Sequence, residues 1–222
     1  MNQTPIGIRV RTVAVSAVLA LVTALAGGAT AQAQQAVEPA GVPTAQVPPF
    51  EHACVFEGVN LNEFLGVTQR LIGPPPCREA FVGEQWVRTF PSWGTAPSAQ
   101  GTVYPAGYTP ARPAPMDDFI SKFRGVRIVN DIGTRQERSF TFGPEVVRRI
   151  TLDSETGILF ASFATPPLHP LSAGGHTTTV FMQLSAEHCD GLGTNPDENC
   201  LPGGEFQYTG VTPVRFFPRN TA

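Results

Sequence analysis

Four cysteines, at positions 54, 77, 189 and 200, fall into two sequence-local pairs. That spacing constrains the chain more than any other feature. Structural zinc centres use tight Cys or His pairs such as CxxC. Here the nearest approach is His52-x-Cys54 and His188-Cys189, which gives no such pair. Four cysteines allow three disulfide connectivities, and the local one, Cys54 with Cys77 and Cys189 with Cys200, is expected. In the loop-entropy model each such bridge contributes ~3 kcal/mol. Stapling of this kind needs an oxidising compartment.

The N-terminus agrees with that compartment. MNQTPIGIRVR carries Arg9 and Arg11 and no acid, and TVAVSAVLALVTALAGGA follows as an uncharged apolar run. Small-x-small sites at Ala29–Ala31 and Ala31–Ala33 come next, so residues 1–33 read as a secretory signal peptide cleaved near Ala31 or Ala33. No later segment has the ~20 apolar residues that span a bilayer, and no membrane span is expected after cleavage. Of the 15 basic residues two leave with the signal, against 18 acids that all remain. A mildly acidic chain has no electrostatic footprint for nucleic acid or an anionic membrane surface. Lys122 is the single lysine, and with abundant Ala, Gly and Pro this bias suggests a GC-rich bacterial source.

The 22 Gly and 22 Pro break long helices and favour short strands joined by turns. Residues 34–50 (four prolines, no hydrophobic periodicity) read as a flexible tether. Residues 51–93 read as a small disulfide-linked module. In it, LNEFLGVTQRLIG is expected as a helix started by Asn62 and ended by Gly73, and EQWVRTF as a half-buried strand. Residues 91–116 are a Pro/Gly-rich arm. Residues 117–218 are the main domain: a short capped helix at 117–123, then strands at 126–131, 138–142, 146–152, 157–164, 176–184 and 205–217. With no βαβ rhythm, the expected class is mainly β, an antiparallel sandwich with a small helix-containing N-terminal module.

HPLSAGGHTTTV, residues 169–180, resembles the start of a late strand in immunoglobulin-like sandwiches of exported bacterial proteins. The resemblance covers these twelve residues. It implies an immunoglobulin-like β-sandwich and an export route, and carries no catalytic residues.

Several groups invite a chemical reading. EHCDGLGTNPDENC, residues 187–200, offers Asp190, Asn195 and Asp197 as oxygen ligands for Ca²⁺. Dense calcium loops alternate their ligands, however, and Asn, Asp and Gly also build ordinary turns. Ser172 and His176 lie four residues apart in LSAGGH, but a nucleophilic triad is defined by geometry across a fold, not by closeness in one turn. Asp117, Asp118, Asp153 and Glu155 suit helix caps and turns as well as acid–base work. Trp93, Tyr104 and Tyr108, with Trp86 and Phe90 before them, could form an aromatic platform for a ligand or fold back over the sandwich. The composite expectation is a secreted or periplasmic protein of structural or binding type, without cofactor unless calcium. Its partner would be a protein or a cell-envelope polymer. The alternative is a secreted hydrolase, which would require Asp117, Asp153, His169, His176 or His188 to converge.

Overall fold

Both expected disulfides form in the computed structural model, Cys54–Cys77 and Cys189–Cys200. The model describes residues 53–151 and 158–218. The segments expected as signal peptide and tether, with His52, Asp153 and Glu155, lie outside those residues.

A two-residue turn joins β1 (Val55–Phe56) to β2 (Val59–Asn60) and leads into α1 (Leu61–Leu65). This helix corrects the expectation of one long helix from Leu61 to Gly73. Asn60, not Asn62, caps it by accepting from the Asn62 and Glu63 backbone N–H groups. Gly66 ends it at φ 64° and donates back to Asn62 and Glu63, as helix C-caps in the left-handed region do. Asn62 turns inward, accepts from Cys54 N and donates to the Val67 and Gln69 carbonyls. These bonds commit the following residues to an extended path. Leu71 and Ile72 are buried as the helical stripe implied, but in strand β3 (Arg70–Ile72).

β4 (Glu79–Phe81) and β5 (Trp86–Thr95) follow, then the arm and α2 (Pro115–Lys122). Pro115 suits the first helical position, where its missing N–H costs nothing. α2 runs directly into β6 (Phe123–Asn130), and β7 (Arg138–Phe142) pairs back on it. A 3-10 turn (Pro144–Val146) precedes β8 (Val147–Thr151), and then come β9 (Leu159–Ala164) and β10 (Gly174–Leu184). β11 (His188–Cys189) and β12 (Cys200–Leu201) flank α3 (Pro196–Asn199) as a stapled hairpin. The segment read as one strand over 205–217 is two, β13 (Gly204–Gln207) and β14 (Thr212–Phe217). They are interrupted where buried Tyr208 donates to the Pro91 carbonyl.

The strands form two main sheets. One has the order β4-β14-β10-β6-β7, with β13 also on β10; the other is β3-β5-β9-β8. Most pairings are antiparallel, but β3–β5 and β4–β14 are parallel. Residues 51–93 therefore give strands to both sheets, and β5 runs past residue 93 into the expected arm. The described residues belong to one compact unit.

The core follows from strand alternation. On β10, His176, Thr178, Val180, Met182 and Leu184 share a face, and all are buried. Val180, Met182 and Leu184 pack with Val126 and Ile128 of β6, Phe90 of β5, Phe163 of β9 and Met116 and Phe119 of α2. A second cluster gathers Trp86, Ile72, Leu168, Leu171, Val214 and Phe216. The two sheets thus cover each other's apolar faces, the arrangement of a sandwich.

Candidate functional site

In the stapled hairpin, Asp190 accepts from the Leu192 N–H through Oδ1 (2.8 Å) and from Asn199 Nδ2 through Oδ2 (3.2 Å). Burial pushes its carboxyl above the usual range. Asn195 caps α3 by accepting from Asp197 N at 3.1 Å, and Asp197 is exposed. The oxygens of Asp190 and Asn195 are thus engaged by donors of their own loop. Among the described residues, no three His, Cys, Asp or Glu gather as a metal-holding group.

The aromatic residues of the arm lie half-buried against the body. Tyr108 donates to Asp118 Oδ2 at 2.8 Å, and its ring lies 5.2 Å from that of Tyr104. Trp93 packs on the main core and sits edge-on to His188, 6.2 Å between centroids. Lys122 Nζ stands 5.0 Å over the Tyr108 ring.

Beneath them Asp118 is fully buried. It does not cap α2; it organises everything around it. Oδ1 accepts from the Ala111 and Arg112 N–H groups at 2.6 and 3.1 Å. Oδ2 accepts from Tyr108, from Lys122 Nζ (2.7 Å) and from His188 Nδ1 (2.8 Å). Burial pushes this carboxyl up, but the bonds from His188, Lys122 and Tyr108 prevail and hold it well below the usual carboxylate range. Burial pushes His188 down against the pull of Asp118. Its Nε2 is buried without a partner among the described residues, so a second proton there would have no acceptor among them. The ring is therefore neutral and donates through Nδ1. The whole cluster reads as a clamp that fastens the arm to α2 and the hairpin.

A second buried acid–imidazole pair lies elsewhere, at the ends of β6 and β10. Asp131 follows β6 with φ 53°, a conformation that Asp tolerates better than most side chains. Its Oδ1 accepts from Thr177 N (2.9 Å), and its Oδ2 meets His176 Nδ1 at 2.7 Å. His176 Nε2 lies 3.3 Å from Ser172 Oγ and 3.0 Å from the Ser172 carbonyl oxygen. Asp131 and His176 are buried, and Ser172 is exposed. With Nδ1–H directed at Asp131, a neutral ring can only accept from the Ser172 hydroxyl. A doubly protonated ring can instead donate Nε2–H to the carbonyl.

Gly175 and His176 also line an open groove of about 520 Å³, together with Pro75, Pro76, Arg78, Glu79, Pro213 and Arg215. Its floor comes from β14 and the segment around β4, tied by Arg215 N donating to the Arg78 carbonyl at 2.8 Å. The Arg215 guanidinium stands 5.1 Å over the Phe217 ring.

Among the described residues, the members of the set sought for a hydrolase do not meet at one place. His188 pairs with Asp118 and His176 with Asp131, while Asp117 and His169 are exposed. Asp131, Lys122, Arg78 and Arg215 escaped sequence reasoning. Asp131 alone left a signal, an Asp at a strand end ahead of Ile-Gly. No protein-family model, no curated protein and no solved structure matches this chain.

Proposed function

We propose that the chain is an exported bacterial protein on an immunoglobulin-like β-sandwich, and that it binds a protein or polymer at or outside the cell envelope. The observation that carries this reading is the open groove between the Pro74–Glu79 segment and β14. Its walls are stiffened by Pro75, Pro76, Pro213 and the nearby Cys54–Cys77 bridge. Two disulfides are those of an extracellular or oxidising-compartment protein, and the N-terminal charge and apolar run supply the export route. Arg78 and Arg215 outnumber Glu79 in the groove of an otherwise acidic chain, which suits an anionic polymer or an acidic peptide. The test is co-sedimentation with cell-wall sacculi that retain their anionic polymers. Binding should fall with salt, and the double substitution Arg78→Ala/Arg215→Ala should weaken it about tenfold, ~0.7 kcal/mol per guanidinium. Equal sedimentation of variant and wild type would remove the groove from the reading.

The Asp131–His176–Ser172 geometry favours a second reading, a secreted hydrolase. In it, His176 Nε2 takes the Ser172 proton as Oγ attacks an acyl carbon, then returns it to the leaving group, and water releases the acyl-enzyme. A fluorophosphonate probe distinguishes this from a merely structural turn. Labelling mapped to Ser172 and lost in Ser172→Ala supports catalysis. An unlabelled folded protein excludes it.

A further inference from the structure

Arg88 enters the sandwich interior from β5, between Trp86 of one apolar cluster and Phe90 of the other, and is 2% exposed. It has no carboxylate partner among the described residues. Nη1 donates to the Ile72 (3.3 Å) and Thr89 carbonyls, and Nη2 to Thr212 Oγ1 at 3.2 Å. Nε is buried and has no acceptor among the described residues. Burial pushes its pKa down to about 10, and Arg78, another cation, pushes the same way.

The opposite sheet presents a polar row to this guanidinium. Thr212 of β14 is the register partner of Thr178 of β10, and Thr178 is that of Asn130 of β6. Register partners share a face, so Thr178 and Asn130 point the same way as Thr212, into the interior that Arg88 enters. Thr178 and Asn130 are 0% and 1% exposed. Thr178 Oγ1 and both side-chain polar atoms of Asn130 are buried without a partner among the described residues. Leaving such a group unsatisfied is destabilising, and a buried unpaired charge more so. The row and Arg88 thus carry donors of three kinds, a guanidinium N–H, a hydroxyl and an amide NH₂, around one uncompensated cation.

We propose that this polar layer is a binding site for a small monovalent anion of halide size, held by Arg88 Nε, Thr178 Oγ1 and Asn130 Nδ2. Chloride satisfies the three donors and neutralises Arg88 at once. A water molecule could satisfy donors but would leave the charge. The site lies in the interior and is independent of the groove and of Ser172.

Crystals equilibrated in bromide test it directly. An anomalous peak in contact with Arg88 Nε and Thr178 Oγ1 is expected, and a water refining there instead overturns the proposal. In solution, melting temperature should be higher in chloride than in gluconate at equal ionic strength. That difference should vanish in Arg88→Met, whose side chain fills similar space without charge, and shrink in Thr178→Val. If Arg88→Met fails to fold, Thr178→Val alone carries the comparison. Identical wild-type melting in the two salts refutes the site.

Discussion

Both oxygens of Asp118 are filled by donors from three parts of the chain, and Lys122 Nζ has its other bonds to Tyr108 Oη and the Glu187 carbonyl. Asp118→Asn replaces an acceptor oxygen by an NH₂ that faces further donors, and it leaves the Lys122 charge buried without its counter-ion. Breaking one partner of a buried pair costs ~3–5 kcal/mol, and urea denaturation of the variant should show a loss of that size. Tyr108→Phe removes one donor from a carboxylate that keeps four, so its cost should be smaller, ~1 kcal/mol by the same measurement. None of this was visible in the sequence. Asp117-Asp118 read as interchangeable cap residues because a helix start favours acids at either position. Only the turn that folds Tyr108 and the Ala111–Arg112 amides back over α2 separates the buried acid from the exposed one.

At the scale of elements, the strands of the main domain were legible because period-2 alternation, with Gly and Pro between runs, survives burial. β6, β7, β9 and β10 lie where the pattern puts them, within a few residues. α1 was misjudged because apolar residues at helical spacing and residues in a short buried strand satisfy the same count. The deciding signal was Gly66, which stood inside the predicted helix. Its φ of 64° is one that an L side chain resists, while a Cβ there would meet nothing within 4 Å. Gly66→Ala should therefore cost ~1 kcal/mol through backbone strain alone, read as a fall in melting temperature without a change in near-ultraviolet circular dichroism. The hairpin staple is testable at the same level. Opening Cys189–Cys200 by paired Ala substitution should lower stability by ~3 kcal/mol in the loop-entropy model. It should also loosen His188, which directly precedes Cys189, so hydrogen exchange should rise in α2 as well as in the loop.

For the molecule as a whole, stability should fall in two acid steps. His188 has its pKa lowered from 6.5 on folding, so the unfolded chain takes up a proton first, and stability declines as pH drops below about 6.5. Asp118 has its pKa lowered from 3.8. Its contribution is intact above that value and is lost as pH falls further. Asp190, raised by burial, works in the opposite sense: its destabilisation is relieved as pH falls through its raised pKa towards 3.8, before the Asp118 step begins. Melting temperatures across pH 3 to 8 should show both declines in wild type and a much weaker lower one in Asp118→Asn. The sheet partnership of the first forty described residues was not legible, because parallel pairing between distant segments leaves no local pattern. The same holds for the candidate sites: Ser172 and His176 lie close in sequence, but Asp131 arrives from a strand forty-odd residues upstream.

The parallel pairing of β4 with β14 has a kinetic consequence. Arg215 lies opposite Glu79, so a strand near the start of the described chain waits for nearly the last one before its sheet edge is complete. Contacts between such distant segments slow folding, because chain closure must be achieved before they can reward it. A chain with this topology cannot reach its native arrangement until almost all of it has emerged. Its disulfides then lock a structure that forms late.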